Sequence, residues 1–93
     1  MGTEKYDKDA EIIDQLRNAL RWARQKHPDF AEGQYQALGY LGEEYGEVVK
    51  EITKGEDGWR ERMCDELIDL ICVAVRMLRG EFDNKEAENV DGK

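Results

Sequence analysis

A chain of 93 residues, 40% hydrophobic and 39% charged, makes one domain but is short for covering a core by itself. Its 22 acidic residues against 14 basic ones leave a net charge of −8, which excludes the basic footprint that DNA or RNA binding requires. No apolar run approaches the roughly 20 residues of a membrane span, and the polar start does not read as a signal peptide, so a cytoplasmic protein with no membrane partner is expected.

Residues 1–6 read as a flexible lead-in. A first helix is predicted from Lys8 to Lys26, with Asp7 as its N-cap. Ile12, Ile13, Leu16, Leu20 and Ala23 give it one apolar stripe at helical spacing. Pro28 and Gly33 then bracket a loop that holds Phe30 and His27, the single histidine. One histidine in a loop argues against a zinc site and against the Glu-x-x-His pairs of di-iron bundles.

A second helix is predicted from Gln34 to Lys54. Leu38, Leu41, Tyr45, Val48, Val49 and Ile52 cluster on one side, and Glu44, Glu47 and Glu51 fall on a neighbouring stripe. Gly39, Gly42 and Gly46 share a third side. Each glycine inside a helix costs roughly 0.8–1 kcal/mol relative to alanine. Three on one side therefore point to a helix or ligand approaching the backbone closely there, with a bent or frayed helix as the alternative.

Residues 55–58 form the turn into a third helix, predicted from Trp59 to Leu78, and Gly80 is its C-terminal stop. After Asp69 this helix is apolar nearly all round, which is the pattern of a helix buried on several sides. Three helices of this length cannot cover Leu67, Ile71, Cys72, Ala74, Val75 and Leu78 together, so self-association, at least to a dimer, is expected. Cys64 and Cys72 are separated by about 12 Å of helix, too far for a disulfide, and both are expected to be reduced. The domain thus spans residues 1–80, an all-α helical bundle of three main helices completed by homo-oligomerisation. Residues 81–93 are acidic and aperiodic, the signature of a disordered tail.

Chemistry concentrates in the second and third helices. Glu44 and Glu47 form one acid-x-x-acid pair, Glu66 and Asp69 another, and residues three apart share a helix face. Glu66 and Asp69 also share theirs with Val73 and Met77, which belong inside. Carboxylates brought inward unpaired must protonate, pair or hold a metal. Arg62 shares the face and can pair with one of them, but it cannot neutralise four. Hard oxygen ligands without nearby histidine or cysteine favour magnesium, with manganese as substitute. Against this stands the plain reading of Glu43, Glu44, Glu47 and Glu51 as a solvated stripe beside Lys50 and Lys54. A second acidic pair embedded in the most apolar helix weighs against that reading.

Glu44-Tyr45-Gly46-Glu47, a gap of 18 residues, then Glu66-Leu67-Ile68-Asp69 resembles the E-x-x-E…E-x-x-D signature of the MazG-like, all-α nucleoside triphosphate pyrophosphohydrolases. Glu43, Asp65 and the apolar run after Asp69 suit the pattern as well. The resemblance covers residues 22–78. It implies a four-helix-bundle core built by tight dimers, often paired into tetramers. It also implies magnesium-dependent hydrolysis of a nucleoside triphosphate between its α and β phosphates, giving the monophosphate and pyrophosphate. Position by position, Glu44, Glu47, Glu66 and Asp69 become the metal ligands, and one of Glu44 and Glu47 activates the attacking water, with Glu44 preferred. Lys50 and Lys54 are the candidate phosphate partners, and Trp22 and Phe30 the candidate platforms for the base, ahead of Trp59 and Tyr40. Arg76 is expected to hold structure rather than phosphate. The competing reading is a non-catalytic helical dimerisation or regulatory module, which the apolar third helix and acidic tail suit equally well.

Overall fold

A computed structural model describes residues 6–83 and contains, among them, three α-helices and no strands: α1 (Lys8–Lys26), α2 (Gln34–Lys54) and α3 (Trp59–Leu78). Their ends follow from local chemistry. The Asp7 carboxylate accepts a hydrogen bond from the Ala10 N–H at 3.1 Å, satisfying one of the free donors of the first turn. Gly55 ends α2 in the left-handed region (φ 64°), with its N–H on the Glu51 carbonyl. At the end of α3, Gly80 (φ 72°) donates to Met77 O and Glu81 donates to Arg76 O, the paired bonds of a Schellman stop.

The middle element is α3, which packs along α2 and also against α1. The result is a slab with extents of 56 × 39 × 18 Å, whose short dimension is less than two helix diameters. Such a slab encloses little. Its buried apolar residues are Phe30, Ala37, Val48 and Cys72, and among the described residues no large side chain is fully buried.

The end of the described chain is fixed by charge. Arg76, only 4% exposed, donates through Nε to Glu81 at 2.6 Å and through Nη2 to the His27 carbonyl at 2.9 Å, while its guanidinium lies 4.9 Å from the centre of the Phe30 ring. This is the structural part expected of it: one arginine ties α3 to the loop after α1. Glu81 also takes Arg24 at 2.6 Å and Arg79 at 3.4 Å, and the Gly33 N–H donates to Phe82 O. Residues 81–83, placed in the disordered tail by their composition, therefore belong to the fold, because three arginines give Glu81 partners that sequence order does not reveal. The rest of the expected tail, 84–93, and most of the expected lead-in, 1–5, lie outside the described residues.

The expected self-association surface also looks different in three dimensions. Leu67, Ile71, Ala74 and Val75 of α3 are already half-buried within the chain, leaving Leu78 exposed. Other large open apolar side chains lie on α2, at Tyr35, Leu38, Tyr45, Val49 and Ile52, and on α1, at Ile12, Ile13 and Trp22. On α2, an added Cβ at Gly39, Gly42 or Gly46 would meet nothing within 4 Å, so no described part of the chain makes the close approach those glycines predict.

Candidate metal centre

On α2, Glu44 lies on the side turned toward α3, with Ala37, Leu41 and Val48, and is half-buried there. Glu66 and Asp69 come from α3, three residues apart and so on one face. Antiparallel packing across the short 55–58 turn brings the two helices' acids level. Oxygens of Glu44, Glu66 and Asp69 all lie within 4.8 Å of one another.

The electrostatics record the cost of that gathering. Desolvation first, then the charges of Asp69, Glu66, Glu47 and Glu43, hold the Glu44 carboxyl above its ordinary range. The Glu66 carboxyl is raised by desolvation, then by Asp69, Glu47, Glu51 and Asp65. Desolvation and Asp65 raise Asp69. Among the described residues, no lysine or arginine forms an ion pair with any of the three; the pairs that do form involve other acids. Arg62, expected to serve this face, turns instead to Glu51 at 2.9 Å and to the Asp57 carbonyl at 3.0 Å, partners that the 55–58 turn delivers to it. The acids sit at a rim rather than in the interior: Glu44 and Glu66 are half-buried and Asp69 is exposed in the single chain.

Glu47 stands apart from the triad. It is close enough for its charge to raise both Glu44 and Glu66, yet it is not one of the three acids whose oxygens converge, and Lys50 lies 3.9 Å from it. Lys50 and Lys54 are exposed, and neither lines the neighbouring cavity.

That cavity, about 400 Å³, opens directly beside the carboxylates. Glu43, Glu44 and Asp69 form its acidic wall, Trp22 and Phe30 contribute from α1 and the loop, and Tyr40, Cys72 and Arg76 close it. Phe30 is buried and tilts against Tyr40 with ring centres 5.8 Å apart, so it builds the wall. Trp22 is 59% exposed, with the Lys26 ammonium over its ring at 5.6 Å from the centre. Trp59 does not line this space and instead carries Arg60 over its ring. Tyr40, ranked low from sequence, and Cys72, expected there only to be reduced, are wall residues for a legible reason: each is one helical turn from an acid of the triad, Glu44 and Asp69 respectively. Both cysteines are free thiols. Burial, then Asp69, push the Cys72 thiol up against the opposing pull of Arg24 and Arg76.

Chemically, three converging carboxylates with no lysine or arginine paired to them among the described residues suit a hard divalent cation of the magnesium or manganese kind. A 400 Å³ cavity with aromatic walls beside them falls in the size range of small-molecule sites. No helix of the described residues is long and apolar enough to cross a membrane. No protein-family model, curated protein or solved structure matches the chain.

Proposed function

We propose that the protein is a magnesium-dependent nucleoside triphosphate pyrophosphohydrolase, cutting an NTP or dNTP between the α and β phosphates. The observation that carries this reading is the convergence of Glu44, Glu66 and Asp69 within 4.8 Å without a basic partner among the described residues, beside an aromatic cavity. The likeness of the two acidic motifs to those of MazG-like enzymes supports the reaction class.

Glu44, Glu66 and Asp69 hold the cation. When bound, it offsets the charge of the phosphate oxygens and lowers the pKa of a coordinated water. Glu47, outside the triad but on the same helix one turn from Glu44, would position the attacking water and take its proton. This moves the water-activating part from Glu44, the preferred candidate in the sequence, to its neighbour, because Glu44 is committed to the triad. The exposed Trp22 ring offers the base a stacking face, Phe30 backs the cavity, and Lys50 and Lys54 are left to the outer rim. Assembly into a dimer at least, with a tetramer as the next step, completes the bundle that one chain leaves open.

A pyrophosphate-release screen across common and modified nucleotides with magnesium or manganese tests this directly. Release is expected from at least one nucleotide. Asp69→Asn and Glu47→Gln are expected to reduce it by about 100-fold or more, with helix content unchanged by circular dichroism. No release from any nucleotide would end the enzymatic reading.

The exposed apolar face of α2 favours a second reading, a non-catalytic dimerisation or regulatory module. Thermal unfolding separates the two. A metal site gains stability with rising magnesium as its occupancy grows, whereas a pure interaction module shows no such gain.

A further inference from the structure

Arg76 is the one charged side chain buried among the described residues, at 4% exposed, and it lines the cavity beside the acidic triad. A guanidinium carries five N–H donors and no acceptor. Its Nε donates to Glu81 at 2.6 Å, and Nη2 donates to the His27 and Pro28 carbonyls at 2.9 and 3.5 Å. Nη1 has no partner among the described residues, yet no side-chain nitrogen or oxygen among them is both sealed from solvent and unbonded. The third nitrogen therefore keeps its contact with the cavity. It is also held in place, because the other two are bonded and the guanidinium lies 4.9 Å from the centre of the Phe30 ring. Buried donors are nearly always paired, so a fixed, open pair of N–H groups in a cavity wall calls for an acceptor on whatever fills the cavity.

The charges of the lining and the register of α3 select that acceptor. Asp29, Glu43, Glu44 and Asp69 line the same cavity, and Arg76 already has Glu81 as its counter-ion. An anion brought to Nη1 meets this acidic lining with no net charge to draw it, whereas a neutral carbonyl oxygen carries no such penalty. Asp69, Cys72 and Arg76 stand along one side of α3, and seven residues of helix set Arg76 about 10 Å beyond Asp69. With phosphate held by a cation at the triad, Nη1 stands where the far edge of a nucleotide's base arrives.

We propose that Arg76 is a specificity-determining residue, whose Nη1 donates to a ring carbonyl on the edge of the base remote from the sugar. Guanine, hypoxanthine, uracil and thymine carry an oxygen there, while adenine and cytosine carry an amino group. An amino group set against Nη1 faces donors with donors, so neither side is satisfied. Discrimination comes from that penalty more than from the bond gained with the oxo base. Glu81 acts here as a positioning residue, since its bond to Nε fixes the direction of Nη1. The inference rests on the nucleotide reading of the site and adds the class of base.

Calorimetric titration of the full chain in magnesium tests it, using α,β-methylene triphosphates, which bind without being cut between those phosphates. Hypoxanthine against adenine, and uracil against cytosine, are pairs that differ only along the edge in question. In the pair that binds more tightly, the oxo base is expected to bind about tenfold more tightly than the amino base, or better. Arg76→Lys keeps a cation beside Glu81 but gives up the open N–H pair, so it is expected to bring that ratio close to one. A purely structural role would weaken both members of a pair alike and leave the ratio standing. The wild-type ratio needs no variant, and it decides the matter if Arg76→Lys does not fold. Equal binding within both pairs, a preference for the amino bases, or a ratio that survives in folded Arg76→Lys would each overturn the proposal. No binding of any of the four would overturn it together with the nucleotide reading. The expected ratio without pyrophosphate release from cleavable nucleotides would end the enzymatic reading alone and uphold the role of Arg76.

Discussion

Glu81 and Glu44 are both carboxylates at the edge of a small core, and their surroundings drive them in opposite directions. Partial burial alone would raise Glu81, but hydrogen bonds from Arg24 and Arg76 outweigh it and hold the carboxyl below its ordinary value. A depressed native pKa contributes stability that is fully present above the unfolded value and is lost as pH falls through the native one. Glu81→Gln is therefore expected to cost about 2–3 kcal/mol and to remove part of the acid limb of a denaturation-versus-pH series. The triad behaves in the reverse sense. Glu44, Glu66 and Asp69 are raised, so without metal they favour the fold most when protonated, and that benefit disappears as pH rises from the ordinary carboxylate range through their raised values. Glu44→Gln is expected to make the metal-free protein more stable near neutral pH, by chemical denaturation, and to flatten this decline. Pairings along one helix, such as Glu66 with Asp69, are legible in sequence because spacing fixes them. The choice of Arg62 for Glu51, or of three arginines for Glu81, is not, because it depends on how separate segments meet.

At the scale of elements, the three helices are legible because their ends are set by single residues with local effects: the Asp7 carboxylate, and the left-handed conformations of Gly55 and Gly80. The apolar pattern of α2 is harder to divide. Leu38, Leu41, Tyr45, Val48, Val49 and Ile52 read as one side on a helical wheel, yet only Leu41 and Val48 turn toward α3, and the others remain open to differing degrees. A wheel gives angles but not the identity of what lies opposite. The same helix yields a double-edged expectation for Gly42→Ala. Alanine should add up to about 1 kcal/mol of helix stability, seen by denaturation where the chain is monomeric, while sedimentation shows weaker self-association.

The molecule as a whole is thinner than two helices and has a core of four buried apolar residues among those described, so one chain leaves much of its apolar surface to water. The apolar third helix signals that incompleteness in the sequence, but the large side chains left open lie mainly on α2 and α1, because α3 half-buries most of its own inside the chain. The candidate metal centre is equally a product of assembly between elements, since α2 supplies one acid of the triad and α3 two. Sequence spacing predicts four converging acids, and the packing of the two helices selects three and leaves Glu47 beside them. Magnesium should therefore raise the unfolding temperature of the wild type in a saturable way, and the gain should shrink sharply in Glu66→Gln.

The most direct test of the metal centre is a manganese titration of the purified protein followed by electron paramagnetic resonance, repeated with Glu44→Gln, Asp69→Asn and, as a control on the exposed face of α3, Glu61→Gln. Saturable loss of the free-ion signal is expected with wild type and Glu61→Gln, and little or none with the two triad variants. A wild type that leaves the free-ion signal unchanged, or triad variants that bind manganese as well as the wild type does, would contradict a cation held by Glu44, Glu66 and Asp69.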